Sequence, residues 1–165
     1  MKKALVLLLL LPGCDRGVPP AGDAAAPQRG AAGADPSPAA ADARLTGLYE
    51  GGAGAQKNQL CIVEKGTEAR FGLVVWGANL HSCSGAGDAV RDGERLSLRM
   101  TGDESCTIEA SLNSGTVTLP GNLPAGCAYY CGARATLAGA TFTRAGTTEA
   151  DARKATDIAG DPLCE

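Results

Sequence analysis

Apolar and polar side chains alternate with a period of two along much of the chain after residue 45. Leu96, Leu98 and Met100 fall on one side and Arg95, Ser97 and Arg99 on the other, as in a strand with one face in a core and one in water. The next run repeats this, with Cys106, Ile108, Ala110 and Leu112 set against Thr107, Glu109 and Ser111. It continues through Val117 and Leu119, then Cys131, Ala133, Ala135 and Leu137, then Ala140 and Phe142. Turn signals separate the runs. Lys65-Gly66 joins 60–64 to 70–76, Gly77-Ala78-Asn79 leads into 80–83, and Asp92-Gly93 precedes 94–100; Thr101-Gly102-Asp103 and Asn113-Ser114-Gly115 follow the same logic. Seven or eight short strands, with no room for a helical crossover, predict an all-β, mainly antiparallel meander barrel, whose closure removes exposed edges. Gly51-Gly52-Ala53-Gly54 and Gly85-Ala86-Gly87 read as turn glycines, because phosphate-cradling glycines need a helix after them and neither run has one. Over 147–159 the pattern changes. Thr148 and Asp151 form a capping pair, Ala150, Ala152, Ala155 and Ala159 favour helix, and Gly160 and Pro162 stop it. A short C-terminal helix is expected there.

Residues 1–44 are different in kind. Met1-Lys2-Lys3 and the apolar run 4–11 form a basic n-region and a short h-region, the layout of an export signal rather than a membrane span. From Asp15 to Arg44 the chain is Ala, Gly and Pro with scattered charges, including Pro19-Pro20, Pro27, Pro36 and Pro38, and no aromatic residue. Such a segment buries too little apolar surface to offset its ordering entropy, so a disordered tether is expected, with a reach of roughly 30 Å. The predicted organisation is a signal peptide over 1–13, a lipid-bearing cysteine and tether over 14–44, and a β domain over 45–165.

Cysteine usage fixes the compartment. After Cys14, six cysteines remain (Cys61, Cys83, Cys106, Cys127, Cys131 and Cys164), an even number in an exported chain and hence a disulfide framework. Six cysteines permit fifteen connectivities, and the sequence does not choose among them. Cys164 is expected to join Cys127 or Cys131, pinning the tail near the last strand. Charge narrows the partners. Loss of Lys2 and Lys3 with the signal takes the net charge from −3 to −5, and the remaining bases are interspersed with acids. Nucleic-acid binding, which needs clustered Lys and Arg, is not expected.

Catalytic chemistry finds little support. His81 is the single histidine, which leaves no triad and no histidine-rich metal site. Cys127-Ala128-Tyr129-Tyr130-Cys131 lacks the spacing of a redox pair. No catalytic residue, metal or cofactor is expected, and a thiol-redox or hydrolytic enzyme is the alternative class. Tyr129 and Tyr130 are the foremost contact residues for a partner, because tyrosine offers a large amphipathic area on two side-chain torsions.

Leu11-Pro12-Gly13-Cys14 resembles the lipobox of bacterial lipoproteins, with Pro12 in place of the usual small residue. The whole layout resembles envelope lipoproteins of Gram-negative bacteria. That resemblance implies acylation of Cys14, a bilayer anchor of two or three chains, and a domain facing the periplasm. Asp15 resembles the residue that retains enterobacterial lipoproteins in the inner membrane, which favours that membrane over the outer. Ser84-Gly85-Ala86 resembles the start of the loop that membrane-bound inhibitors of c-type lysozyme insert into the enzyme's cleft, without the aromatic at its end. It implies lysozyme inhibition as an alternative to a non-enzymatic lipoprotein that binds a protein or cell-wall glycan through its barrel loops. Because diacylglyceryl transfer requires the thiol, Cys14→Ser is expected to leave the exported chain unprocessed and without radiolabelled lipid; undiminished labelling would exclude the anchor.

Overall fold

The computed structural model describes residues 44–54, 56–102 and 105–164. The expected signal peptide, Cys14 and all of the expected tether except Arg44 lie outside the described residues. Eight strands follow one another: β1 (Gly47–Gly51), β2 (Asn58–Lys65), β3 (Glu68–Trp76), β4 (Ser82–Asp92), β5 (Arg95–Met100), β6 (Thr107–Asn113), β7 (Thr116–Thr118) and β8 (Thr141–Gly146). Each pairs antiparallel with the next, and β8 pairs with β1, closing the barrel. The expected meander is therefore present with eight strands. The alternating positions point as the pattern requires: Leu96, Leu98, Met100, Ile108, Ala110, Leu112, Val117 and Phe142 are all buried in one interior cluster with Tyr49, Leu60, Phe71 and Leu73. Eight strands enclose a space just wide enough for side chains to fill.

An antiparallel meander puts alternate connections at opposite ends. The β1–β2, β3–β4, β5–β6 and β7–β8 connections share one end. The tight β2–β3, β4–β5 and β6–β7 turns share the other with the entry to β1. At this entry end Tyr49 is fully buried. Its hydroxyl donates to the Leu45 carbonyl at 2.8 Å and accepts from Arg144 Nη2 at 2.6 Å, while the guanidinium lies 4.9 Å from the ring centroid. Burial pushes the Tyr49 phenol above the ordinary tyrosine range, and the Arg144 charge offsets part of that rise.

Two expected elements are corrected. No strand spans 131–137; a 3-10 turn over Ala125–Tyr130 and further turns occupy this part of the β7–β8 connection. Its alternation rests on alanines of low strand propensity among Pro120, Pro124, Gly126 and Gly132, and of Cys131, Ala133, Ala135 and Leu137 only Leu137 is buried. Gly85-Ala86-Gly87 is not a turn but the middle of β4, paired with Leu73, Gly72 and Phe71 of β3. A Cβ on Gly85 would lie 2.9 Å from both Met100 Sδ and Tyr130 Cδ1, so the small residue makes room for neighbouring bulk.

The C-terminal helix α1 (Glu149–Ala152) is a single turn, shorter than expected. Its capping box is complete: the Asp151 amide donates to Thr148 Oγ1 at 3.0 Å, and the Thr148 amide donates to Asp151 Oδ2 at 3.2 Å. Beyond it the tail unwinds, because Ala155 and Leu163 must reach the outer face of the sheet. There Ala152, Ala155, Leu163 and Cys164 cover Leu48, Cys61 and Val63 in a second apolar cluster.

All six cysteines are paired, as Cys61–Cys164, Cys83–Cys131 and Cys106–Cys127. The expected partner of Cys164 is thus corrected from Cys127 or Cys131 to Cys61. Closure sets β8 beside β1, so the tail leaves β8 across the outside of β1 and β2, where Cys61 points outward. This bridge spans 103 residues, for which chain entropy assigns about 4 to 5 kcal/mol.

Cys164→Ser is expected to lower the thermal midpoint by more than about 10 °C, read by calorimetry. Tyr49→Phe is expected to cost about 1 to 2 kcal/mol by leaving the Leu45 carbonyl without its donor. A raised folded-state tyrosine pKa gives stability that is present below the unfolded value near 10 and lost as pH rises through the folded value. Chemical unfolding from pH 8 to 11 should therefore fall more steeply for the wild type than for Tyr49→Phe, and parallel curves would exclude this linkage.

Candidate functional site: the capped end of the barrel

With the interior filled by side chains, binding falls to the barrel's surface. The end opposite the chain's entry carries the longest connection, residues 119–140 between β7 and β8, which folds over the opening as a cap. Cap residues Leu119, Cys127 and Leu137 are buried in the interior cluster, with Leu123, Tyr130 and Ala135 packed against it. Two staples hold the cap, Cys106–Cys127 at the start of β6 and Cys83–Cys131 at the start of β4. Hydrogen bonds add to them: the Gly132 amide donates to the Ser82 carbonyl at 2.8 Å, and the Ala78 amide donates to the Arg134 carbonyl at 3.2 Å.

Cap residues line a half-open pocket of about 450 Å³, among them Leu123, Pro124, Cys127, Ala128, Cys131 and Thr136; among the described residues no charged side chain lines it. Its chemistry suits a small neutral group. Beside it, Tyr129 stands 75% exposed and packs edge to face on Tyr130, ring centroids 5.3 Å apart. Tyr130 turns inward, and its hydroxyl is buried with no hydrogen-bond partner among the described residues. The two tyrosines thus divide their work, Tyr130 anchoring the cap and Tyr129 facing outward.

In the β3–β4 connection at the same end, Leu80, expected to open a strand over 80–83, lies instead in a 3-10 turn (Ala78–Leu80) ahead of β4. Leu80 has φ 62° beside Asn79 at φ 55°, and its side chain is 68% exposed. Asparagine tolerates the left-handed region, but for leucine it costs on the order of 1 kcal/mol. The turn signal Gly77-Ala78-Asn79 marks the loop, but nothing in it marks the strain. Of the four large apolar side chains most exposed on the domain, Leu80 and Tyr129 lie at this end, while Val90 and Ile158 lie elsewhere.

The structure does not bring the other proposed contacts into a loop. Ser84, Gly85 and Ala86 sit inside β4, in register with Val74, Leu73 and Gly72, so the loop geometry that the lysozyme-inhibitor resemblance implies is absent at these residues. His81 lies against Gly132 of the cap. Among the described residues no three His, Cys, Asp or Glu side chains are grouped to hold a metal. Comparison with protein-family models, curated proteins and solved structures finds no match to this chain.

Proposed function

We propose that the chain is a non-enzymatic lipoprotein of the bacterial envelope, anchored in the bilayer through acylated Cys14, whose barrel engages a protein or cell-wall partner through its capped end. The observation that carries this reading is Tyr129, a large amphipathic ring 75% exposed on a segment fixed by two disulfides. Contact residues that dominate binding energies are typically aromatic and rigidly held. The pocket beside Tyr129 and the exposed, strained Leu80 add apolar surface at the same end, and strain of this kind gathers at functional positions. Topology supports the orientation. Arg44 precedes β1 at the end opposite the cap, so the chain does not enter the domain beside Tyr129.

The test uses the full exported chain in cells. A photoreactive amino acid in place of Tyr129 is expected to give a discrete crosslinked adduct, whereas the same group in place of Val90 should give none. Tyr129→Ala is expected to weaken the interaction so identified about tenfold or more, the scale of a contact that dominates an interface, and to leave the thermal midpoint unchanged. Adducts of equal yield at both positions, or none at Tyr129, would remove the capped end as the binding face.

A further inference from the structure

The three disulfides are unequal in access. Cys61, Cys83 and Cys106 are fully buried, and Cys127 and Cys164 are 2% and 5% exposed. Cys131 alone of the six is partly open to solvent, and it flanks the cap pocket. We propose that Cys83–Cys131 is a reducible latch, opened by an exported dithiol reductant that approaches Cys131 through the pocket. This reading is independent of what the capped end binds.

The exchange balances as a two-electron reduction. A thiolate of the reductant attacks Cys131 Sγ, forming a mixed disulfide and expelling the Cys83 sulfur, which takes up a proton. The reductant's second thiolate then attacks its own sulfur in the mixed disulfide, closing the reductant's disulfide and releasing the Cys131 sulfur, which is protonated in turn. Cys131 is the favoured site of attack in the folded state, because it is partly open to solvent whereas Cys127, which lines the same pocket, is 2% exposed, and thiol exchange needs access to a sulfur. In the other two bridges all four cysteines are 5% exposed or less, so these bridges open more slowly.

The consequence is directional. Cys106–Cys127 still ties the first half of the cap to β6, while the second half keeps backbone contacts such as Gly132 to Ser82 and Ala78 to Arg134 and, further on, the core packing of Ala135 and Leu137. Opening the latch therefore loosens residues 132–136, between Cys131 and buried Leu137, and widens the pocket, with the barrel and the covered outer face intact.

The experiment treats the full-length exported protein with limiting dithiothreitol, traps thiols with iodoacetamide and maps the labelled peptides over time. Cys83 and Cys131 are expected to label at least about tenfold faster than the other four. First opening of Cys61–Cys164 or Cys106–Cys127, or labelling of all six together, would overturn the proposal. Ala128→Trp, which places bulk at an exposed pocket-lining position, is expected to slow labelling of Cys83 and Cys131 several-fold; an unchanged rate would overturn approach through the pocket. Trypsin should cut after Arg134 once those two thiols form and not before, and resistance at Arg134 in the opened form would show that the bridge is not a latch.

Discussion

The pairing of β8 with β1 is the interaction on which the rest of this domain depends. Without it the sheet would have two free edges and the outer apolar surface of β1 and β2 no cover. With it, every strand has two neighbours and no edge is left to template aggregation. The closing seam is tight. The register shifts between Leu48 and Tyr49, and a Cβ on Gly47 or Gly51 would run into the backbone of Gly146 or Thr141, so glycine lets the strands meet. Tyr49 and Arg144, one from each strand of the seam, lock it at the entry end through a hydrogen bond and a ring contact. Once β8 lies beside β1, the chain that follows has one apolar surface within reach, and it lies on the outside of β1, β2 and β3.

That geometry explains which parts of the fold were legible in the sequence. In β5 and β6 one face is core and the other solvent, so Leu96, Leu98 and Met100 alternate cleanly with polar residues and can be assigned on sight. In β2 and β3 the runs Leu60-Cys61-Ile62-Val63 and Leu73-Val74-Val75 do not alternate, because both faces are buried. A continuous apolar strand signals that something covers the second face, but it does not say what. The cover is the C-terminal tail, and its identity comes from long-range closure, which no local pattern records. Cys164 pairs with Cys61 for the same reason: proximity across the closed sheet outweighs proximity in sequence to Cys127 and Cys131. The capping box of Thr148 and Asp151 was readable because a cap is a local feature. The length of α1 was not, since packing of Ala155 and Leu163 ends the helix before propensity would.

The cap presents the opposite problem. Residues 119–140 have the Pro, Gly and Ala composition of a loop, and ordering them costs on the order of 1 kcal/mol or more per residue in backbone entropy. Few regular backbone hydrogen bonds repay that cost. The two bridges, with sequence separations of 48 and 21, reduce it by restricting the unfolded chain, by about 4 and about 3 kcal/mol in the chain-entropy account. Buried Leu119 and Leu137, with partly buried Leu123 and Tyr130 packed against the core, add to this by closing the barrel's mouth. Covalent constraint here substitutes for secondary structure, as befits a small domain with one modest core.

A surface ordered in this way is suited to recognition. A loop that must become ordered on binding spends part of its contact energy on that ordering, whereas one ordered during folding does not. Tyr129 belongs to the second kind: it lies between Cys127 and Cys131, its ring rests on Tyr130, and Tyr130 packs on the barrel interior at Gly85 and Met100. The small inward residues of β4 therefore act at a distance, since Gly85 makes the space that lets Tyr130 seat and Tyr130 in turn holds Tyr129 outward. Bulk at Gly85 would act on the capped end through Tyr130, although Gly85 is no part of the surface itself. In that sense Gly85 and the two tyrosines, first singled out as contact residues, form one chain of support. Only its outermost member, Tyr129, is positioned to touch a partner.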